Sequence, residues 1–288
     1  MLGMLIAKCR VYWVGLALVI ATAVWPFNLG AQEQQQVDTA LVVSVDVSNS
    51  VDDERYKLQM EGIAKALEDP SVIDAIASGP NGGILFAMVT WADRPTLTLP
   101  WVRISNRSEA EAVAKTVRQL PRIGGEFTCM TKMLRSANDK IISQIPARVL
   151  RVIIDVSGDG ADNCNTDEPI DKVRDELVGN GVTINGLPIL LDVPEASPLL
   201  PKAEPGEPHP LETWYRAHVM GGAGSFVLPA DGYADFGRAI RQKFVIEISG
   251  IFDGQPIKAA PKSGVWMADG GAKAQHVRAD DGAGAELR

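Results

Sequence analysis

The chain has 288 residues, 46% hydrophobic, 22% charged and 6% aromatic, which suits one large domain, or at most two, and excludes collagen-like and short disulfide-framework proteins. With 36 acidic against 28 basic side chains the formal net charge is −8. A protein that grips a phosphate backbone needs a concentrated positive surface, so no nucleic acid partner is expected.

Lys8 and Arg10 precede an apolar run, Val11 to Trp25, which Pro26 and the small residues Gly30 and Ala31 close. A spanning helix needs about 20 apolar residues. This run of 15 has the pattern of a secretory signal peptide over residues 1–31, cleaved after Ala31. The expected mature protein is periplasmic or secreted, with no stable membrane anchor. Cys9 precedes the apolar run, so no lipid anchor is expected either. Residues 32–38 are polar and aperiodic and read as a linker, with the folded domain spanning residues 39–249.

Ala40 to Val47 is an almost unbroken β-branched and apolar run, the pattern of a strand buried on both faces of a parallel sheet. It ends in Ser48-Asn49-Ser50. Tyr56, Met60, Ile63 and Leu67 then recur at helical spacing, behind acidic residues that suit a helix N-terminus. Gly83 to Trp91 is the next strand, and Thr96 to Val102 a short one that Pro100 marks as an edge. Helices follow at Ala110 to Val117 and Met133 to Ile141, then a strand from Arg148 to Val156 and a helix from Ile170 to Leu177. Val182 to Leu190 reads as a strand broken by Gly186 and Pro188, and Phe236, Ile240 and Phe244 mark the last helix.

Strands alternating with helices predict an α/β fold: a doubly wound, mostly parallel sheet with helices on both faces and one short antiparallel edge strand. Two stretches fall outside this pattern. Residues 192–210 hold six prolines in nineteen residues and read as an extended insertion, a candidate for part of a partner-binding rim. Residues 250–288 lack a sustained apolar period and read as a flexible tail.

Asp46-x-Ser48-x-Ser50 stands at the carboxyl end of a buried strand, where open α/β sheets bind ligands. One carboxylate and two hydroxyls on a tight loop suit Mg²⁺ or Mn²⁺, which take hard oxygen donors. Thr128, before the Met133 helix, and Asp159, after the Arg148 strand, are placed to reach the same face. Two carboxylates roughly neutralise a divalent ion and leave a position for an external carboxylate.

In that order, Asp46-x-Ser48-x-Ser50, Thr128 and Asp159-Gly160 resemble the metal-ion-dependent adhesion site (MIDAS) of the von Willebrand factor type A domain superfamily. The resemblance covers roughly residues 38–249. It implies hydroxyl coordination through Ser48, Ser50 and Thr128, with Asp46 and Asp159 acting directly or through water. Thr128 rather than Thr131 is the candidate, because it sits before the helix. Asn49 stands where many relatives carry glycine, a position Asn tolerates. Residues 155–160, 184–189 and 221–227 resemble, more narrowly, an exported bacterial branch whose biochemical role is uncharacterised. That topology puts Cys129 and Cys164 on loops at the metal face, and export makes a Cys129–Cys164 disulfide the expectation.

The implied function is a metal-dependent adhesion or assembly module that captures an acidic side chain of a protein partner. The alternatives are a metal-assisted phosphohydrolase, with Asp46 at a strand end, and a metal-free scaffold. The sequence carries no zinc-type histidine or cysteine spacing, nucleophile elbow, phosphate-binding loop or dinucleotide fingerprint. No enzymatic activity is therefore expected. His218 is expected to pack near a helix end. Asp155, inside an apolar strand, reads either as a support for the site loops or as a buried structural carboxylate.

Overall fold

Apolar side chains on both faces of the first strand require cover on both sides, and the chain supplies it. The computed structural model describes residues 36–164, 167–191, 200–202, 204–252, 255–256, 266–267 and 275–276. Strand β1 (Gln36–Asp46) is followed by helices α1 (Asp53–Glu68) and α2 (Pro70–Ser78), strands β2 (Ile84–Trp91) and β3 (Pro95–Ile104), and helices α3 (Arg107–Val117) and α4 (Met130–Ser136). Then come β4 (Arg148–Gly158), α5 (Ile170–Gly179), β5 (Val182–Leu190), α6 (Pro210–Trp214), β6 (Ala230–Asp231) and α7 (Phe236–Ser249).

The main sheet has the order β6-β5-β4-β1-β2-β3, parallel throughout except for the β2–β3 pair. Leu41, Val43 and Val45 of β1 enter a core with α1, α2, α3 and α7, whereas Ala40 and Val42 enter a second core with α4, α5 and α6. The alternation of strand side chains explains why the run is apolar on both faces; the polar Ser44 within it donates its hydroxyl to the Asp155 carbonyl. After β1 the chain builds outward on one side through β2 and β3, then returns to lay β4 on the other. The crevice of the sheet therefore opens at the carboxyl ends of β1 and β4, the switch point at which such sheets bind ligands.

Several boundaries differ from the sequence reading. Gln36 to Asp38, expected in the linker, belong to β1. Val37 is buried and the Asp38 carboxylate accepts hydrogen bonds from Asn81 N and Nδ2, so pairing partners decide where polarity had suggested a tether. Helix α2 was not anticipated; Asp69 caps it and Pro70 opens it. Strand β3 lies at the edge that Pro100 indicated but runs ten residues. Strand β5 is unbroken: Gly186 makes room for a neighbour, since a Cβ there would lie 2.7 Å from Tyr215 Cδ1, and Pro188 keeps its register opposite Gly158. The helix expected through Ile141 is α-helical to Ser136 and widens to a π-turn over Ala137–Ile141.

Residues 1–35, which carry the expected signal peptide and most of the expected linker, lie outside the described residues. So do 192–199 and 203 of the proline-rich insertion and most of the tail. The described tail residues form two-residue strands: Ile251–Phe252 pairs with Gln255–Pro256, Trp266–Met267 pairs with Gln275–His276, and Trp266 lies opposite Val149 of β4. Among the described residues no helix is long and apolar enough to cross a membrane.

Candidate metal centre

Asp46 is the last residue of β1 and is fully buried. Its Oδ1 accepts a hydrogen bond from Ser48 N at 2.8 Å, which curls the loop so that Ser48 and Ser50 follow on one side. Gln59 of α1 donates to the Asp46 carbonyl at 3.3 Å, and Asp52 caps α1 by accepting from Arg55 N. The strand end and the helix start are thus bonded to the loop between them.

The five side chains singled out from the sequence meet. Ser48 Oγ lies 3.3 Å from Ser50 Oγ, and Thr128 Oγ1 donates to Ser48 Oγ at 3.3 Å. Ser50 Oγ donates to Asp159 Oδ1 at 2.7 Å. Thr131 turns to Asp162 instead. Ser48, Thr128 and Asp159 are buried, Ser50 is half-buried and Asn49 is exposed.

Two carboxylates so close and so deep strain each other electrostatically. Burial, and then the charge of Asp159, push the Asp46 carboxyl up to about 8, and burial also raises Asp159. Asp46 Oδ2 is buried without a hydrogen-bond partner. A Cβ on Gly158 would lie 3.0 Å from that oxygen, so glycine at this β4 position keeps the space beside it open. Two carboxyl groups, one of them with an orphaned oxygen, and three hydroxyls are the donor set a hard divalent cation takes. Among the described residues no group of three or more His, Cys, Asp or Glu side chains is placed to hold a metal ion, so a cation here would depend on the three hydroxyls as well as the two carboxylates.

The sequence reading missed the residues that frame this cluster. Tyr233, just before α7, donates to Asp159 Oδ2 at 2.9 Å, and the Arg55 guanidinium stands 5.3 Å from the Tyr233 ring centre. Arg55 also donates to the Ser50 carbonyl, and Arg122 Nη2 reaches the carbonyls of Val47 and Ser48 at 3.4 and 3.3 Å. Burial and the neighbouring carboxylates raise the Tyr215 and Tyr233 phenols, which remain neutral hydrogen-bond donors. Tyrosine and arginine in amphipathic segments give no signal of such roles. Asp162 and Asn163, polar and close to Cys164, were the more readable omission.

Cys129 and Cys164 form the expected disulfide, with Cα atoms 4.8 Å apart. Beside it, Asp162 Oδ1 accepts from Met130 N at 3.0 Å. The loop carrying Thr128 and the loop after Asp159 are therefore fastened by covalent and hydrogen bonds together.

Other singled-out residues lie elsewhere. Asp155 is a buried carboxylate in a charge cluster with α7: Lys243 Nζ lies 3.5 Å from Asp155 Oδ1 and 3.1 Å from Glu247 Oε1. His209 caps α6 by accepting from Leu211 N, and His218 lies 3.2 Å from Asp171 and packs against Trp214.

The doubly wound sheet with one antiparallel edge pair is a von Willebrand factor type A-like fold, and its switch point gathers the Asp-x-Ser-x-Ser loop, a threonine and a second aspartate. The chain belongs to the family described as protein of unknown function (DUF1194), whose model matches residues 36–252. No curated protein matches the chain. Its fold is similar to that of proximal thread matrix protein 1 from the mussel byssus, at a TM-score of 0.53 and 13% identity, over 75% of this chain and 49% of that one. A second structure of the mussel protein, with a zinc-occupied MIDAS motif, matches at a TM-score of 0.50 and 15% identity, again over 75% and 49%. A von Willebrand factor type A structure from Catenulispora acidiphila matches at 0.49 and 19% identity, over 74% of this chain and 43% of that one. The chain thus spans about half the length of these solved proteins.

Proposed function

We propose that the chain is a metal-ion-dependent protein-binding module, exported to the periplasm or secreted, in which Asp46, Ser48, Ser50, Thr128 and Asp159 hold Mg²⁺ or Mn²⁺. The observation that carries this reading is the orphaned Asp46 Oδ2, buried beside a second carboxylate. A buried anionic oxygen without a partner is costly unless a cation or a proton joins it. The mussel protein with its zinc-occupied MIDAS motif supports the same reading by likeness of fold.

Bound there, a divalent ion supplies positive charge and an open coordination position for an anionic oxygen. The chain's own residues do the rest. Ser48 and Ser50 present hydroxyl oxygens from one tight loop, Thr128 presents a third, and Tyr233 and Ser50 fix both oxygens of Asp159. With their charge balanced by such an ion, Asp46 and Asp159 would leave it free to take an external anionic oxygen, for which the carboxylate of a protein partner is suited. A binding role is favoured over catalysis because His209 and His218 are engaged elsewhere and Cys129 and Cys164 are paired.

The test is calorimetric titration of chelator-stripped protein with Mg²⁺ and Mn²⁺, comparing wild type with Asp46→Ala. Saturable binding that the substitution abolishes is the expected result. No uptake of either ion by the wild type would sink the reading.

A further inference from the structure

The loop that delivers Thr128 also exposes two large apolar side chains. Ile123 is 56% and Phe127 54% exposed, two of the four large hydrophobic residues so exposed among the described residues. Each is the immediate neighbour of a residue that touches the candidate metal centre: Ile123 follows Arg122, which reaches the Ser48 carbonyl, and Phe127 precedes Thr128.

Their exposure does not come from a loose loop. Asp93, in the β2–β3 turn, accepts hydrogen bonds from Phe127 N at 2.9 Å and Glu126 N at 3.1 Å. At the other end Tyr56 OH donates to the carbonyls of Leu120 and Pro121 at 3.1 and 3.2 Å. The fold therefore fixes two apolar groups in water beside a polar site, at a standing cost, which marks an interaction surface more than chance exposure does.

A groove of about 530 Å³ shares Arg122 with the segment that forms this lip; Tyr56, Met60 and Leu120 give it apolar lining, and its charges are of both signs, with Arg118 paired to Glu61 and Arg122 3.9 Å from Asp53. Arg122 belongs both to the groove and to the edge of the metal centre. Because its arginines are paired with its own carboxylates, what the groove offers beside Ile123 is apolar surface, complementary to apolar side chains that flank a metal-seeking carboxylate.

We propose that the partner is an extended protein segment whose metal-seeking acidic side chain is flanked by apolar residues, which Ile123, Phe127 and the adjoining groove receive. This rests on the metal-binding reading above and adds to it the class of sequence recognised. A free small carboxylate or an acidic sugar leaves the apolar lip uncovered and gains nothing from it.

The experiment uses Mg²⁺-loaded protein and three fluorescent peptides of equal length: a glutamate flanked by leucines, a glutamate flanked by serines, and a glutamine flanked by leucines. Anisotropy titrations are run with Mg²⁺ and with chelator, and Mg²⁺ uptake is measured separately by calorimetry. The leucine-flanked glutamate peptide is expected to bind at least about tenfold tighter than the serine-flanked one, from the apolar area covered. Chelator and the glutamine replacement should both abolish that binding. Ile123→Ser with Phe127→Ser should erase the preference while Mg²⁺ uptake stays unchanged.

Equal metal-dependent affinity for both glutamate peptides would overturn the proposal and leave the metal centre standing. Metal uptake without binding of any peptide would overturn it as well. Absence of metal uptake would remove the metal-binding reading and this inference together.

Discussion

Thr128 N donates to Asn163 Oδ1 at 2.7 Å, and Asn163 N returns a hydrogen bond to the Thr128 carbonyl at 3.1 Å. The residues that follow them, Cys129 and Cys164, are joined as a disulfide, so the two loops are paired residue by residue. The crosslink spans 35 residues of chain and Cys129 is fully buried. Replacing both cysteines by serine is expected to lower the unfolding free energy by roughly 3–4 kcal/mol, on the loop-entropy account of disulfides. It should also weaken Mg²⁺ uptake, because Thr128 loses its tether. Denaturant unfolding and calorimetry of the double variant check the two effects; unchanged metal affinity would show that the hydrogen bonds suffice to hold the loop.

Lys243 of α7 is fully buried between the carboxylates of Asp155 and Glu247, with Asn185 Nδ2 donating to Glu247 Oε1 at 2.8 Å. Lys243→Met removes the cation and leaves two carboxyl groups in the core. Breaking a buried ion pair from one side costs about 3–5 kcal/mol, and a loss of that size in chemical denaturation is expected. A loss under about 1 kcal/mol would mean that the attraction within the cluster offsets little more than the cost of desolvating Lys243.

The same cluster makes stability depend on pH. Burial, and then the Glu247 charge, hold the Asp155 carboxyl well above the usual carboxylate range. The native state therefore keeps a proton that the unfolded chain releases near pH ~4. The stabilisation from this group is complete below that point and falls as pH rises toward the native value, by at most about 1.4 kcal/mol per pH unit. Asp155→Asn has no proton to release, so the stability of wild type relative to the variant is expected to decline from about pH 4 upward. A pH-independent difference in unfolding free energy would refute this.

These consequences differ in how far the sequence disclosed them. Asp46, Ser48, Ser50 and Asp159 were legible because polar residues that end an apolar strand must face a crevice, and doubly wound sheets have their crevice there. Cys129 and Cys164 followed from export and from the same topology. Asp155 was legible as a buried charge, but its partners Lys243 and Glu247 sit in an ordinary amphipathic helix about ninety residues on, and only packing brings them together. Tyr233 was invisible for the same reason. Gly186 and Pro188 suggested a break because local propensity is read without neighbours; the Tyr215 ring, which needs the missing Cβ, reverses that reading.

Tyr233 offers the most selective perturbation of the candidate centre. Its hydroxyl donates to Asp159 Oδ2 while Ser50 donates to Oδ1, so both oxygens of one carboxylate are positioned by neutral donors. Tyr233→Phe keeps the ring under Arg55 and removes one hydrogen bond from a buried carboxylate, at about 1–3 kcal/mol of stability. Groups that orient a metal ligand affect affinity roughly 10–100-fold when lost, so Mn²⁺ uptake in calorimetry is expected to weaken by about tenfold or more. Trp101→Phe serves as the comparison: its Nε1 donates to the Ile141 carbonyl at 3.0 Å and touches none of the five donors. Weakened Mn²⁺ uptake in the Tyr233 variant alone would mark Tyr233 as a positioning residue of the centre. Equal effects in both variants would trace the loss to general destabilisation.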